Sequence, residues 1–195
     1  MKAGKPNILV LGIGNILWAD EGFGVRAVEA FHRAYKVGDN VTILDGGTQG
    51  LYLVQYVRDA DYLLVFDAID YGLVPGTLKL VSDEEVPKFT GAKKMSLHQT
   101  GFQEVLSAAD LMGGYPEKLA LIGCQPVDLE DWGGPVTAPV RAVIPQAIDM
   151  AVDLLRNWGA DVSRRPAGEA VPPLLENDID FERYERRRET AALVS

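Results

Sequence analysis

Six side chains in this sequence have the chemistry and the placement to act together: Asp20, Glu21, Asp45, Asp67, Asp70 and His98. Each stands at the end of an apolar run or at the entry to a helical pattern, where a core element can hold it firmly. Asp67 directly follows Leu63-Leu64-Val65-Phe66, and a carboxylate leaving a core strand is costly unless it meets a cation or hydrogen-bond donors. Two carboxylates and an imidazole suit a borderline divalent cation such as zinc, nickel or iron, with positions left for water or substrate. Taken singly, the same residues also fit plainer roles. Glu21 would favour the dipole of the helix it precedes, and His98 would hydrogen-bond at a helix entry. His32, beside Arg33, reads as a surface histidine, Cys124 as a small core residue, and Trp18 and Trp132 as loop aromatics that either pack or meet a partner.

The elements that must position these groups alternate in type. Residues 7–11 form a β-rich apolar run between Pro6 and Gly12, as expected of a strand covered on both faces. Val25, Val28 and Phe31 then recur at helical spacing up to about 36–38. Strands are expected at 41–44, 62–66, 77–81 and 118–123, with a short helix marked by Leu51, Val54 and Val57. A helix over 100–112 carries Thr100 and Gln103 at capping-box spacing. The last helix spans 140–158, with Pro145 expected in its first turn. This alternation predicts a three-layer α/β/α sandwich around a twisted, mostly parallel sheet of about five strands. Ligands of such folds bind beyond the carboxyl ends of the strands, where the candidate residues fall. Residues 1–160 read as one domain; 161–195, rich in proline and charge, read as a flexible extension.

Composition narrows the function. The chain has 195 residues, 47% of them hydrophobic, enough for one core without covalent staples. Its single cysteine rules out an internal disulfide framework and suits a reducing cytoplasm. A net charge of −9 argues against nucleic-acid binding. The uncharged run 6–19 is interrupted by Gly12, Gly14 and Asn15 and falls short of the roughly 20 apolar residues of a membrane span. It ends in Asp20-Glu21 rather than a small-residue cleavage site, which also argues against a signal peptide. Gly12-Ile13-Gly14 begins like a dinucleotide fingerprint, but position 17 is leucine, and Asp20-Glu21 would repel a pyrophosphate. Walker, zincin and nucleophile-elbow motifs are absent.

Read together, several blocks resemble the maturation endopeptidases of nickel-iron hydrogenases. They are the run from Ile8 to Leu17 with Asp20-Glu21-Gly22-x-Gly24-Val25-Arg26, then Leu44-Asp45-Gly46-Gly47-Thr48, Phe66-Asp67-Ala68-Ile69-Asp70, Asp83-Glu84-Glu85-Val86-Pro87 and Ser96-Leu97-His98-Gln99. The resemblance covers about 7–158. It implies removal of a C-terminal peptide from the hydrogenase large-subunit precursor once nickel has been inserted, with nickel supplied by that precursor as a recognition signal. Carried over by position, the metal-contacting and catalytic set becomes Glu21, Asp67 and His98. The family's grouping with aspartic-type peptidases comes with the resemblance, although no paired Asp-Thr/Ser-Gly arrangement is present. Asp45, Gly46, Gly47 and Thr48 are expected to contact the substrate chain, glycines permitting close backbone approach; a strand-ending turn is the alternative. The implied protein is a cytoplasmic monomer that neither binds nucleic acid nor inserts into membranes. Two other functions fit the residues: a nickel-sensing chaperone that docks without cutting, and a Rossmann-like nucleotide enzyme.

Overall fold

The computed structural model describes residues 4–86, 97–174 and 184, the side chains of Glu84 and of 97–101 excepted. β1 (Ile8–Ile13) is buried along its whole length, because its apolar residues point alternately into two helical layers. It lies between β3 (Val41–Gly47) and β4 (Tyr62–Ala68), parallel to both. β6 (Lys118–Cys124) continues the parallel set, and β5 (Leu78–Ser82) closes the sheet antiparallel to β6. The order is β3-β1-β4-β6-β5.

Helices α1 (Phe23–Ala34) and α4 (Ala138–Asn157) cover one face, and α2 (Val54–Asp59) and α3 (Leu97–Leu111) are on the other. The first layer buries Phe23, Val28, Phe31, Phe66, Ile122, Ala147 and Ala151. The second buries Leu11, Val57, Leu63, Val65, Val105 and Leu121. This is the expected α/β/α sandwich. From β1 the chain crosses by α1 to β3 on one side; from β3 it returns by way of α2, on the opposite face, to β4 on the other side. The strand order therefore reverses between β1 and β4, and by topology their carboxyl ends form the crevice where ligands of such folds bind.

Element boundaries differ from expectation where distant residues intervene. α1 stops at Ala34, short of 36–38, because Tyr35–Val37 forms β2 and pairs antiparallel with β7 (Val162–Arg164). α3 has begun by Leu97, so Thr100 lies inside the helix and Thr100-Gln103 is not its cap. α4 begins at Ala138, placing Pro139 in the first turn and Pro145 in the interior. The main-chain hydrogen bond lost at Pro145 is offset by burial of Ile144, Ala147, Ile148 and Ala151.

Beyond 160 the chain stays on the body through Leu174, which packs against the first core layer. Arg165 donates from Nε to the His32 carbonyl at 3.1 Å, and Lys36 pairs with Glu169 at 2.8 Å. His32 is half-buried there with its Nε2 3.0 Å from the Pro172 carbonyl, rather than an ordinary surface histidine. Among the described residues no helix is long and apolar enough to cross a membrane.

Candidate active site

The β1–β4 crevice is built by glycines. A Cβ at Gly24 would collide with the carbonyls of Ile13 and Phe66, so only glycine lets the start of α1 seat on the ends of both strands. Gly14 has φ +132°, and a Cβ there would collide with the Glu21 carbonyl. The turn of 3-10 helix over Ala19–Gly22 is thereby pressed against the end of β1 and carries the two adjacent carboxylates, Asp20 and Glu21.

Their environments are opposite. Asp20 is fully buried and accepts four hydrogen bonds: from the N–H of Val127 (2.7 Å) and Asp128 (3.1 Å), and from the N–H (2.7 Å) and hydroxyl (3.0 Å) of Thr137. Its own N–H donates to the Asp128 carbonyl at 3.1 Å. Asp20 therefore ties the start of α1 to the connection between β6 and α4. Ala19, just before it, has φ +33°, a left-handed conformation costing a non-glycine residue on the order of 1 kcal/mol or more. Trp18 and Trp132 brace the same junction edge to face, 4.9 Å between ring centroids. Glu21 is only half-buried, and burial pushes its carboxyl from 4.5 up to about 7.

Across the crevice Asp67 leaves β4 at 6% exposure. It stands opposite Gly123 of β6, which stands opposite Lys79 of β5, all on the α2/α3 face of the sheet. The Tyr71 ring lies over Gly123, where a Cβ would collide with its hydroxyl; Lys79 Nζ lies 5.3 Å from the ring centroid. Burial, with the Asp67 charge adding to it, raises the Tyr71 phenol above its ordinary range, so it stays a hydroxyl. Asp70, two residues beyond the end of β4, serves the loop: its Oδ1 accepts from the Gly72 N–H at 2.9 Å and from Gln125 Nε2 at 3.0 Å. Cys124 is buried, its thiol pushed up to about 12 by burial and then by Asp20, which fits a core role.

Asp45 lies within β3, and its Oδ1 accepts from the Gly47 N–H at 2.9 Å. Burial raises its carboxyl, opposed by the hydrogen bond from Gly47 and then by the Arg26 charge. Gly14 donates to the Gly47 carbonyl at 3.0 Å, linking this turn to the crevice loop, and Thr48 is exposed beside it. Arg26 is itself fully buried and pairs with Glu29 at 3.2 Å.

The His98 side chain lies outside the described residues, as do Pro87 and Ser96 of the motif blocks. Its backbone is in the first turn of α3. The far end of that helix leads into the amino end of β6, and 15 residues span about 22 Å. The α3 amino terminus therefore lies toward the carboxyl edge, on the face that carries Asp67. Among the described residues no three His, Cys, Asp or Glu side chains converge as a metal site. The roles of Asp20, Tyr71 and Gln125 were not drawn from the sequence; the available signal was polarity just beyond apolar runs, which Gln125 shares with Asp67.

With this geometry in hand, comparison with known proteins is decisive. The hydrogenase maturation protease family matches residues 25–154. This chain belongs to that family. It is 80% identical over 188 residues to the hydrogenase expression/formation protein HupD of Rhizobium leguminosarum bv. viciae, covering 96% of this chain and 93% of the relative. The hydrogenase 2 maturation protease of Escherichia coli K12 is 44% identical over 162 residues, 82% of this chain and 97% of its own. The solved structure of the hydrogenase maturating endopeptidase HybD from E. coli superimposes with a TM-score of 0.77 at 42% identity, covering 82% of this chain and 98% of that one. The resemblance read from the motif blocks is borne out, as is the fold. The chain is a hydrogenase maturation endopeptidase by family, and the Rossmann-like nucleotide enzyme is set aside.

Proposed function

We propose that this endopeptidase removes the C-terminal peptide of a nickel-iron hydrogenase large-subunit precursor in the cytoplasm, acting as a monomer after nickel has been inserted. The observation that carries this reading is the placement of Glu21, on the turn that follows β1, and of Asp67, at the end of β4, beyond the carboxyl ends of two adjacent parallel strands. Nickel arrives as part of the substrate. Glu21, Asp67 and His98 complete its coordination, so that stable binding reports a loaded precursor, and the scissile peptide is brought beside the same groups. A water adds to the scissile carbonyl, a carboxylate of the set takes its proton, and that proton passes to the departing amine. In that sense the reaction is of aspartic type. Asp45, Gly46, Gly47 and Thr48 contact the substrate chain.

Support for a protein substrate comes from the rim. Leu51, Tyr52, Val74, Val127 and Trp132 are exposed in the loops at the same edge of the sheet, an apolar border suited to a folded partner. The test is intact-mass measurement of the precursor after incubation with this protein, with and without nickel. Loss of a C-terminal segment only in the loaded sample is expected. Nickel-dependent binding without cleavage would make the chain a sensing chaperone instead.

A further inference from the structure

The turn that follows Asp67 is built on one buried amide. Gln125, at the end of β6, is 5% exposed. Its Oε1 accepts from the N–H of Tyr71 at 2.7 Å and of Leu73 at 3.1 Å, and its Nε2 donates to Asp70 Oδ1 at 3.0 Å. Its own backbone holds the returning arm: its N–H donates to the Thr77 carbonyl at 2.9 Å, and its carbonyl accepts from the Gly76 N–H at 2.8 Å. Both arms of the turn between β4 and β5 are thus fastened to a single residue, and a buried amide placed this way is costly to disturb.

The consequence is the position of Tyr71. Its hydroxyl occupies the space that a side chain at Gly123 would fill. Gly123 is the direct neighbour of Asp67 across β4 and β6, so the phenol sits beside Asp67 on that face, near enough for the Asp67 charge to bear on it. Lys79, the next neighbour in register, lies along the other side of the ring. Tyr71 therefore forms the β6-side wall of the Asp67 environment, and the aromatic ring separates that carboxylate from the Lys79 ammonium.

We propose that Gln125 and Tyr71 are positioning residues for the processing reaction: Gln125 locks the turn after β4 so that the Tyr71 ring confines the Asp67 carboxylate toward the β1–β4 crevice. The inference rests on the reading of Asp67 given under Proposed function. It assigns the ring, rather than the hydroxyl, as the working part of Tyr71.

Two readouts separate this inference from that reading. The first is steady-state cleavage of nickel-loaded precursor by the full chain. Tyr71→Ala is expected to lower kcat about tenfold, as loss of a group orienting a site ligand does. Tyr71→Phe retains wild-type kcat, and Gln125→Ala matches Tyr71→Ala without the two effects adding. The second readout is the Asp67 carboxyl resonance in carbon-detected NMR of the free protein, which moves in Tyr71→Ala and not in Tyr71→Phe. Wild-type kcat in Tyr71→Ala, equal losses in the Phe and Ala variants, or an unmoved Asp67 resonance would each overturn the inference. If Gln125→Ala does not fold, the two Tyr71 variants decide alone. If even the wild-type chain cleaves nothing, the functional reading fails, and the Asp67 resonance still decides whether Tyr71 positions that carboxylate.

Discussion

Asp20 and Glu21 are neighbours in the chain and have opposite fates. Asp20 turns inward, where four hydrogen bonds from Val127, Asp128 and Thr137 replace the water it lost. Glu21 is only half-buried, and burial raises its carboxyl to about 7. One carboxylate holds the loop together. The other is a carboxyl whose charged form burial disfavours. The difference teaches that two adjacent acidic residues on one turn can be held in separate states, one fixed by hydrogen bonds and the other with its carboxyl raised by burial. The strained Ala19 sits on the same turn and persists because Asp20 is anchored on both sides.

Breaking the inward half of the pair should have the largest effect. Asp20→Ala leaves four part-buried donor bonds unmade and is expected to destabilise the protein by about 2–4 kcal/mol, measured by urea unfolding, with processing lost only in proportion to folded protein. Glu21→Gln should do the reverse. Processing of loaded precursor is expected to fall on the order of 100-fold, while the unfolding midpoint at neutral pH stays at or above that of the wild type. If Glu21→Gln unfolds the protein and Asp20→Ala leaves it stable and inactive, the two roles have been exchanged.

Smaller effects sharpen the contrast. Trp132→Ala removes the edge-to-face partner of Trp18 and should cost about 1 kcal/mol in the same unfolding assay. The pH dependence of stability isolates Glu21. A carboxyl raised from 4.5 to about 7 on folding penalises the folded state only where it must ionise. The penalty is absent below about pH 4.5, grows from there to about 7, and is constant above. The melting temperature of Glu21→Gln should therefore match the wild type in acid and exceed it modestly above neutrality. Equal differences at both ends of the range would remove the link to Glu21.

Much of this was legible in the sequence because it depends on local pattern. The runs at β1, β4 and β6 are apolar on both faces, which marks a sheet covered by two helical layers, and Asp67 is conspicuous as a carboxylate leaving such a run. Glu21 was visible as a carboxylate just before a helical pattern and through the motif block it belongs to. What was hidden depends on partners far away in the chain. The donors to Asp20 lie more than 100 residues on, and nothing in Val127 or Asp128 advertises them. β2 is concealed in what reads as the end of a helix, since its partner strand β7 belongs to the extension. Gln125 and Tyr71 meet across 54 residues, so the wall beside Asp67 exists only once β4 and β6 have paired. Pro145 misled because a proline near a helix start is the commoner arrangement, and Pro139 already fills that place.

The most direct test of the contrast between the two carboxylates is a pH titration of the Glu21 side-chain carboxyl in the free protein, followed by carbon-detected NMR. A midpoint near 7 is the predicted result, showing a carboxyl that still holds its proton when the substrate's cation arrives. A midpoint near 4.5 would contradict the account, since Glu21 would then be an ordinary surface carboxylate.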